Sequence, residues 1–142
     1  MRPGDPLLQR ALEATGARVV ACPRADEGMG ASLACGIAAA ADADGWVVAL
    51  GDMPWIAPAT ISAVADALRD GAEIAAPAFR GERGHPVGFA RPYGPLLAAL
   101  EGDEGARAIV NARRFALRLV DVDDAGALRD VDHPADLAGG RK

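Results

Sequence analysis

Trp46-Val47-Val48-Ala49-Leu50-Gly51-Asp52-Met53-Pro54 is the stretch whose reading decides the fold. Its first five residues form an uninterrupted apolar run of strand length, the pattern of a parallel strand covered on both faces. The glycine, aspartate and proline that follow are turn formers and end the run. The run is therefore expected to be a central buried strand, with Asp52 at its carboxyl end. Ligands of open α/β sheets bind in the crevice beyond the carboxyl ends of the strands, so Gly51 and Asp52 stand where chemistry is expected.

Working outward from this strand, helices and strands alternate. On the carboxyl side a helix spans Pro58 to Leu68 and a buried strand Glu73 to Pro77. Ala78 to Arg80 and Pro86 to Ala90 flank Gly81-Glu82-Arg83-Gly84, which reads as a hairpin or flap with a loose turn. Helical pieces over Pro95 to Leu100 and Gly105 to Asn111 follow, then a strand from Arg118 to Val122. A helical turn at Ala125 to Leu128 and a short helix opening at His133 complete the pattern, and Gly139 to Lys142 is expected to fray. On the amino side, an Ala-rich helix from Ala31 to Ala41 is fed by the turn Glu27-Gly28-Met29-Gly30. Before it come a short strand, Arg18 to Cys22, and a helix, Leu7 to Thr15, stopped by Gly16. Such alternation predicts an α/β fold: a mostly parallel sheet with helices on both faces. A length of 142 residues suits a single domain, and there is no internal repeat or linker.

Composition narrows the functions available. Net charge is −5, which repels nucleic-acid backbones and anionic membranes at long range. Aromatic residues make up only 4%, so a core of Ala, Val, Leu and Ile is expected. The first residues carry no apolar signal segment, and no apolar stretch approaches the roughly 18 residues of a membrane span. Cys22 and Cys35 form neither a CxxC pair nor part of a histidine cluster, and are expected to be free, buried thiols in a reducing cytoplasm.

Four motifs can carry chemistry, each beside a plainer reading. Asp52 can hold a hard cation such as Mg²⁺, which takes one or two carboxylates and completes its shell with water and phosphate oxygens, or it can make an Asx turn before Pro54. Asp132, in Arg129-Asp130-Val131-Asp132-His133-Pro134-Ala135-Asp136-Leu137, can be a second acid for the same cation or a cap on the last helix. Glu27-Gly28-Met29-Gly30-Ala31-Ser32-Leu33 can offer helix N–H groups and the Ser32 hydroxyl to an anion or a base edge, or simply start a helix. Arg83-Gly84-His85-Pro86 places His85 on a constrained loop. His85 is a better candidate than His133, which precedes Pro134 and whose plainer reading is to shape a turn.

Together with Gly102-Asp103-Glu104-Gly105-Ala106-Arg107, these segments follow one another in a specific order. Over about positions 7 to 138 the chain resembles molybdenum cofactor cytidylyltransferases and their MobA-like NTP transferase relatives. The quoted segments look like the EGM-x-x-SL, GDMP, RxGHPV, GD-x-GAR and D-[IV]-D-T-P-x-DL motifs of that group, with His133 in place of the usual threonine.

The resemblance implies a Rossmann-like nucleotide-diphospho-sugar transferase fold. The activity it implies is Mg²⁺-dependent transfer of CMP from CTP to the phosphate of molybdopterin cofactor, with release of pyrophosphate. It implies Asp52 and Asp132 as catalytic metal ligands, and Gly28, Met29, Ser32, Leu33, Gly51 and Asp52 at the nucleotide. Arg83, Gly84, His85 and Pro86 would face the acceptor. The family's opening LAAG-x-x-x-R-x-G loop is absent. The expectation is therefore a partial domain lacking the first strands, inactive or weakly active as it stands, with a homo-oligomer covering the open sheet edges. The alternatives are a non-catalytic nucleotide- or pterin-binding module and a related guanylyl- or sugar-phosphate nucleotidyltransferase.

Overall fold

A computed structural model describes residues 1–138; the tail from Gly139, where fraying is expected, lies outside the described residues. In chain order the elements are Pro6–Glu13 (α1), Met29–Ala39 (α2), Gly45–Val48 (β1), Pro58–Arg69 (α3), Ile74–Phe79 (β2), Glu82–Arg83 (β3), Val87–Ala90 (β4), Gly94–Ala98 (α4), Arg107–Ala112 (α5), Leu117–Asp121 (β5) and Pro134–Ala138 (α6). No helix among them is long and apolar enough to cross a membrane. The chain divides into two compact units, Met1–Ala43 with Pro92–Ala112, and Asp44–Arg91 with the residues from Arg113 onward.

The first unit is helical. Pro6 stands in the first turn of α1, and the Asp5 carboxylate caps it by accepting the Leu8 N–H at 3.0 Å. The helix buries no residue, and Leu7, Leu8 and Leu12 remain exposed. The strand expected over Arg18 to Cys22 does not form. An extended segment needs a neighbouring ladder, and this one finds only Met1: the Met1 amino group donates to the Val20 carbonyl and the Cys22 N–H donates to the Met1 carbonyl. The alanines of α2 let α4 pack closely against it, and Ala31, Ala34, Ile37, Leu97, Ile109 and Val110 are buried in this unit.

The cysteines correct a second expectation. Cys22 and Cys35 are joined in a disulfide, their Cα atoms 5.9 Å apart, rather than free. After Cys22 the chain makes a 3-10 turn, Ala25–Glu27, and then runs along α2, which brings Cys35 back to Cys22. Cα separations near this value permit a bridge. The thiol argument for a reducing compartment therefore falls.

The second unit holds a five-stranded sheet in the order β1-β4-β2-β3, with β5 on β2. It is mostly antiparallel; β2 and β5 form its one parallel pair among the described residues. The expectation of a mostly parallel sheet is therefore corrected. β1, β2 and β5 do share one direction, but β4 returns antiparallel and inserts between β1 and β2, with Trp46 opposite Phe89 and Ile74 also opposite Phe89. The apolar run is a strand, though shorter than expected. It lies half-buried at the end of the sheet order rather than at its centre.

The flap is also tighter than a loose turn. β2 and β3 are joined by Arg80 and Gly81, with φ of 51° and 83°, the doubly left-handed geometry of a two-residue hairpin. One face of the sheet is covered by α3. Val64 and Ala67 pack with Ala75 and Ala72, flanked by Val47, Leu68 and Val120. Gly88 is required there, because a Cβ would press into Val64 and Leu68.

The core is largely aliphatic, as composition predicts, but its largest fully buried side chain is Phe89. Truncating a buried phenylalanine costs about 3–5 kcal/mol, whereas an exposed one costs within about 0.5 kcal/mol. Urea unfolding should thus show a large loss for Phe89→Ala and almost none for Phe115→Ala, whose residue is 81% exposed.

Candidate functional site

Three of the motifs meet in the second unit. β1 ends at Val48, and the turn that follows exposes Asp52 while burying Met53. The Asp52 carbonyl accepts the Val131 N–H at 2.8 Å, so the backbone of the first acidic motif is bonded to the residue beside Asp132. Among the described residues neither the Asp52 nor the Asp132 carboxylate accepts a hydrogen bond. The plainer readings of both are therefore not what forms: Asp52 makes no Asx turn, and Asp132 caps no helix. That capping falls to Asp136, whose Oδ2 accepts the Asp132 N–H at 3.0 Å and the His133 N–H at 2.8 Å. No group of three or more His, Cys, Asp or Glu able to hold a metal occurs among the described residues. A cation held by this pair would need water and ligand oxygens to fill its shell.

The third motif is the segment after β3. Gly84 donates to the Pro77 carbonyl at 2.8 Å, and His85 donates to the Ala127 carbonyl at 2.9 Å. Gly84 must lack a side chain because a Cβ would collide with that same Ala127 carbonyl. Arg83 is exposed, His85 half-buried and Pro86 buried, with a cis peptide between His85 and Pro86. Burial pushes the His85 pKa below the ordinary imidazole value; the Arg83 cation pushes the same way, and the Asp52 carboxylate pulls it back up. His85 thus lies within electrostatic reach of Asp52.

The remaining two motifs meet in the first unit. Gly28, with φ of 131°, ends a turn and opens α2, and a Cβ on it would strike Gly102 and the Asp103 side chain. A Cβ on Gly30 would strike the backbone of Glu101, Gly102 and Glu104. The Ala31 N–H, one of those expected to be open to an anion, donates to the Gly102 carbonyl at 3.2 Å. Met29 is exposed, and Ser32 and Leu33 are half-buried. These glycines are thus accounted for by close packing of the 101–105 loop on the helix start.

Sequence reasoning missed the residue that ties the second unit's loops together. Asp124 accepts the Ala57 N–H at 2.8 Å and the Thr60 hydroxyl at 2.6 Å on one oxygen, and the Gly126 N–H at 2.9 Å on the other. Gly126 in turn lies so close to the Trp55 carbonyl that no Cβ fits, and the Arg129 guanidinium stacks 4.3 Å from the centre of the Trp55 ring. The available signal was an aspartate one residue before a helical turn, a common capping pattern.

Two outcomes follow. Leaving these donors without a partner should make Asp124→Ala lose about 2–3 kcal/mol in denaturant unfolding, and Asp124→Asn, which keeps one oxygen, about half of that. In an NMR titration His85 should titrate below the usual imidazole value of about 6.5. Arg83→Gln should move that midpoint up, and Asp52→Asn should move it further down. Since the folded protein binds the proton less tightly than the unfolded chain, stability should fall as pH drops from about 6.5 toward the folded midpoint.

Comparison with known proteins places the chain in a family. The model of the MobA-like NTP transferase domain matches residues 2–119. Purine catabolism protein PucB of Bacillus subtilis (strain 168) is 30% identical over 116 residues, covering 80% of this chain and 56% of PucB. The crystal structure of Rv0371c from Mycobacterium tuberculosis H37Rv superposes with a TM-score of 0.66 at 34% identity, over 78% of this chain and 57% of that one. The same protein solved in complex with manganese gives a TM-score of 0.60 at 33% identity, over 72% of this chain and 56% of that one. A homologue of Rv0371c from Mycobacterium sp. strain JC1 gives 0.58 at 33% identity, over 68% of this chain and 48% of that one. The chain thus spans about half the length of the relatives it matches, and it belongs to the MobA-like NTP transferase family.

Proposed function

We propose that this chain is part of a Mg²⁺-dependent nucleotidyltransferase that moves CMP from CTP to the phosphate of molybdopterin cofactor and releases pyrophosphate. Family membership supports nucleotidyl transfer in general. The choice of CTP and molybdopterin cofactor rests on the motif resemblance. The observation that supports metal dependence is the backbone bond between Asp52 and Val131, beside two carboxylates with no hydrogen-bond partner of their own. That donor chemistry fits a hard divalent cation with an incomplete protein shell, and the solved manganese complex of Rv0371c is consistent with it. When bound, such an ion would neutralise phosphate oxygens and stabilise the leaving pyrophosphate.

The chain's own residues would do the rest. Gly28, Met29, Ser32, Leu33 and Gly51 are assigned to the nucleotide by resemblance, and Arg83, Gly84, His85 and Pro86 to the acceptor. A neutral His85 could accept or donate a single hydrogen bond to a polar edge of that acceptor. Transfer itself asks for an oxygen of the acceptor phosphate in line with the α-phosphorus, which positioning by the flap would favour. The 142 residues are taken as one partial domain, acting in the cytoplasm where nucleoside triphosphates are held.

Pyrophosphate release from CTP, Mg²⁺ and molybdenum cofactor, measured with a version of this chain extended by the family's opening loop, tests the reaction. Asp52→Ala and Asp132→Ala should each lower it about a hundredfold or more, since a metal clamp contributes several kcal/mol. Release with GTP, or with a sugar phosphate as acceptor, in preference to CTP and the cofactor would move the protein to another branch of the family. Saturable nucleotide binding with no release under any pairing would leave a non-catalytic binding module.

A further inference from the structure

We infer that Arg129 is the phosphate-binding residue of the cavity that Asp132 lines, with Trp55 as the platform that aims it. The inference rests on the proposed transfer chemistry only for the identity of its natural ligand.

The cavity lies wholly in the second unit, is an open surface depression of about 450 Å³, and is lined by Trp55, Leu128, Arg129, Asp130, Asp132 and Asp136, with Ala135. Its one cation is Arg129. Elsewhere in this unit Arg69, Arg91 and Arg118 each pair with an aspartate. Arg129 pairs with none among the described residues, although three aspartates line the same cavity. Its guanidinium lies instead over the Trp55 ring. Stacking on an aromatic face fixes the plane of a guanidinium and leaves its N–H edge free, the arrangement that suits two-point recognition of phosphate oxygens.

Both partners are themselves held. The Trp55 backbone carbonyl packs closely against Gly126, whose N–H donates to the Asp124 carboxylate. Arg129 is anchored by its N–H, which donates to the Gly126 carbonyl at 3.2 Å. The Asp136 Oδ2 accepts two backbone N–H groups, and Asp130, Asp132 and Asp136 all contribute negative charge to the lining that holds Arg129. A bare anion would meet that charge unfavourably. A phosphate that arrives with a divalent cation would not, because Asp130 and Asp132 would help hold the cation and leave the Arg129 guanidinium to the phosphate.

The probe is inorganic pyrophosphate with Mg²⁺, titrated calorimetrically into the whole chain. Saturable binding is expected. Arg129→Met, which keeps an apolar stem on Trp55 without the charge, should weaken it about tenfold to a hundredfold, as expected for loss of a charge-assisted contact. Arg129→Lys should fall between the two, since it keeps charge but not the planar fork. A purely structural stack would leave the affinity of Arg129→Met at the wild-type value. That result, or the absence of saturable binding by the wild-type chain, overturns the inference.

A second readout needs no variant to fold well: the Arg129 Nε–Hε resonance of the wild-type protein should shift on adding Mg²⁺-pyrophosphate, and a resonance that stays still overturns the inference as well. Repeating the titrations with CTP and with inorganic phosphate, a stand-in for the acceptor monoester, separates the two natural sources. Whichever loses affinity in Arg129→Met names the ligand, and loss of neither overturns the site. Asp52→Asn and Asp132→Asn distinguish this inference from the proposed metal pair: if they leave Mg²⁺-dependent binding intact while Arg129→Met does not, the metal assignment fails and the phosphate site stands.

Discussion

Asp124 accepts hydrogen bonds from Ala57, Thr60 and Gly126, donors that lie on two segments separated by more than sixty residues of chain. Much of the second unit's chemistry hangs from that carboxylate. By binding Ala57 and Thr60 it fixes the start of α3 and, through it, the loop that carries Asp52 and Trp55. By binding Gly126 it fixes the 3-10 turn Ala125–Leu128, whose Ala127 carbonyl receives His85 and whose exit carries Arg129. A half-buried carboxylate with three donors is held more firmly than a surface ion pair, because each donor would otherwise be left unsatisfied. The Asp52–Val131 backbone bond then needs only to close a gap already narrowed.

The sheet imposes a complementary constraint. The chain reverses at Arg80 and Gly81, and β3 and β4 then both run antiparallel to β2, with Gly84-His85-Pro86 as the segment between them. Gly84 can pass only because it has no Cβ to meet Ala127. Because Val87 pairs with Val48 at the carboxyl end of β1, the inserted β4 delivers His85 to the end of the sheet where Asp52 follows.

How much of this the sequence discloses depends on range. α1, α2, α3 and the 3-10 turn at Ala125–Leu128 are legible because proline, glycine and aspartate mark their ends locally. The strand before Asp52 is legible as a strand, but not as an edge strand. An apolar run reports burial, whereas the choice of neighbour is decided by residues forty positions away at Val87–Ala90. The Cys22–Cys35 bridge is hidden for the same reason, since only the path through α2 brings the two together. In the site, Asp52, Asp132 and His85 stand out by motif. Asp124 does not, because a capping aspartate and a long-range clamp look identical in one dimension. Nor does Arg129, whose significance lies in the ring beneath it.

Charge decides what kind of ligand such a site can accept. The chain is acidic overall, at −5, and Asp52, Asp130 and Asp132 add to that locally, with Arg129 and Arg83 as the nearby cations of the motifs described. Burial and Arg83 both work against a proton on His85, so the imidazole adds no positive charge near neutral pH. A polyphosphate approaching alone would meet net repulsion at short range. The Asp52 and Asp132 carboxylates are exposed and accept no hydrogen bond among the described residues, so their lone pairs are open to solvent or to a cation. A cation would offset the same excess of acid that disfavours a free polyphosphate, as the proposed metal-dependent transfer requires. This is the physical reason to look for the family's chemistry in this half of the domain, whatever base or acceptor the remaining length of its relatives selects.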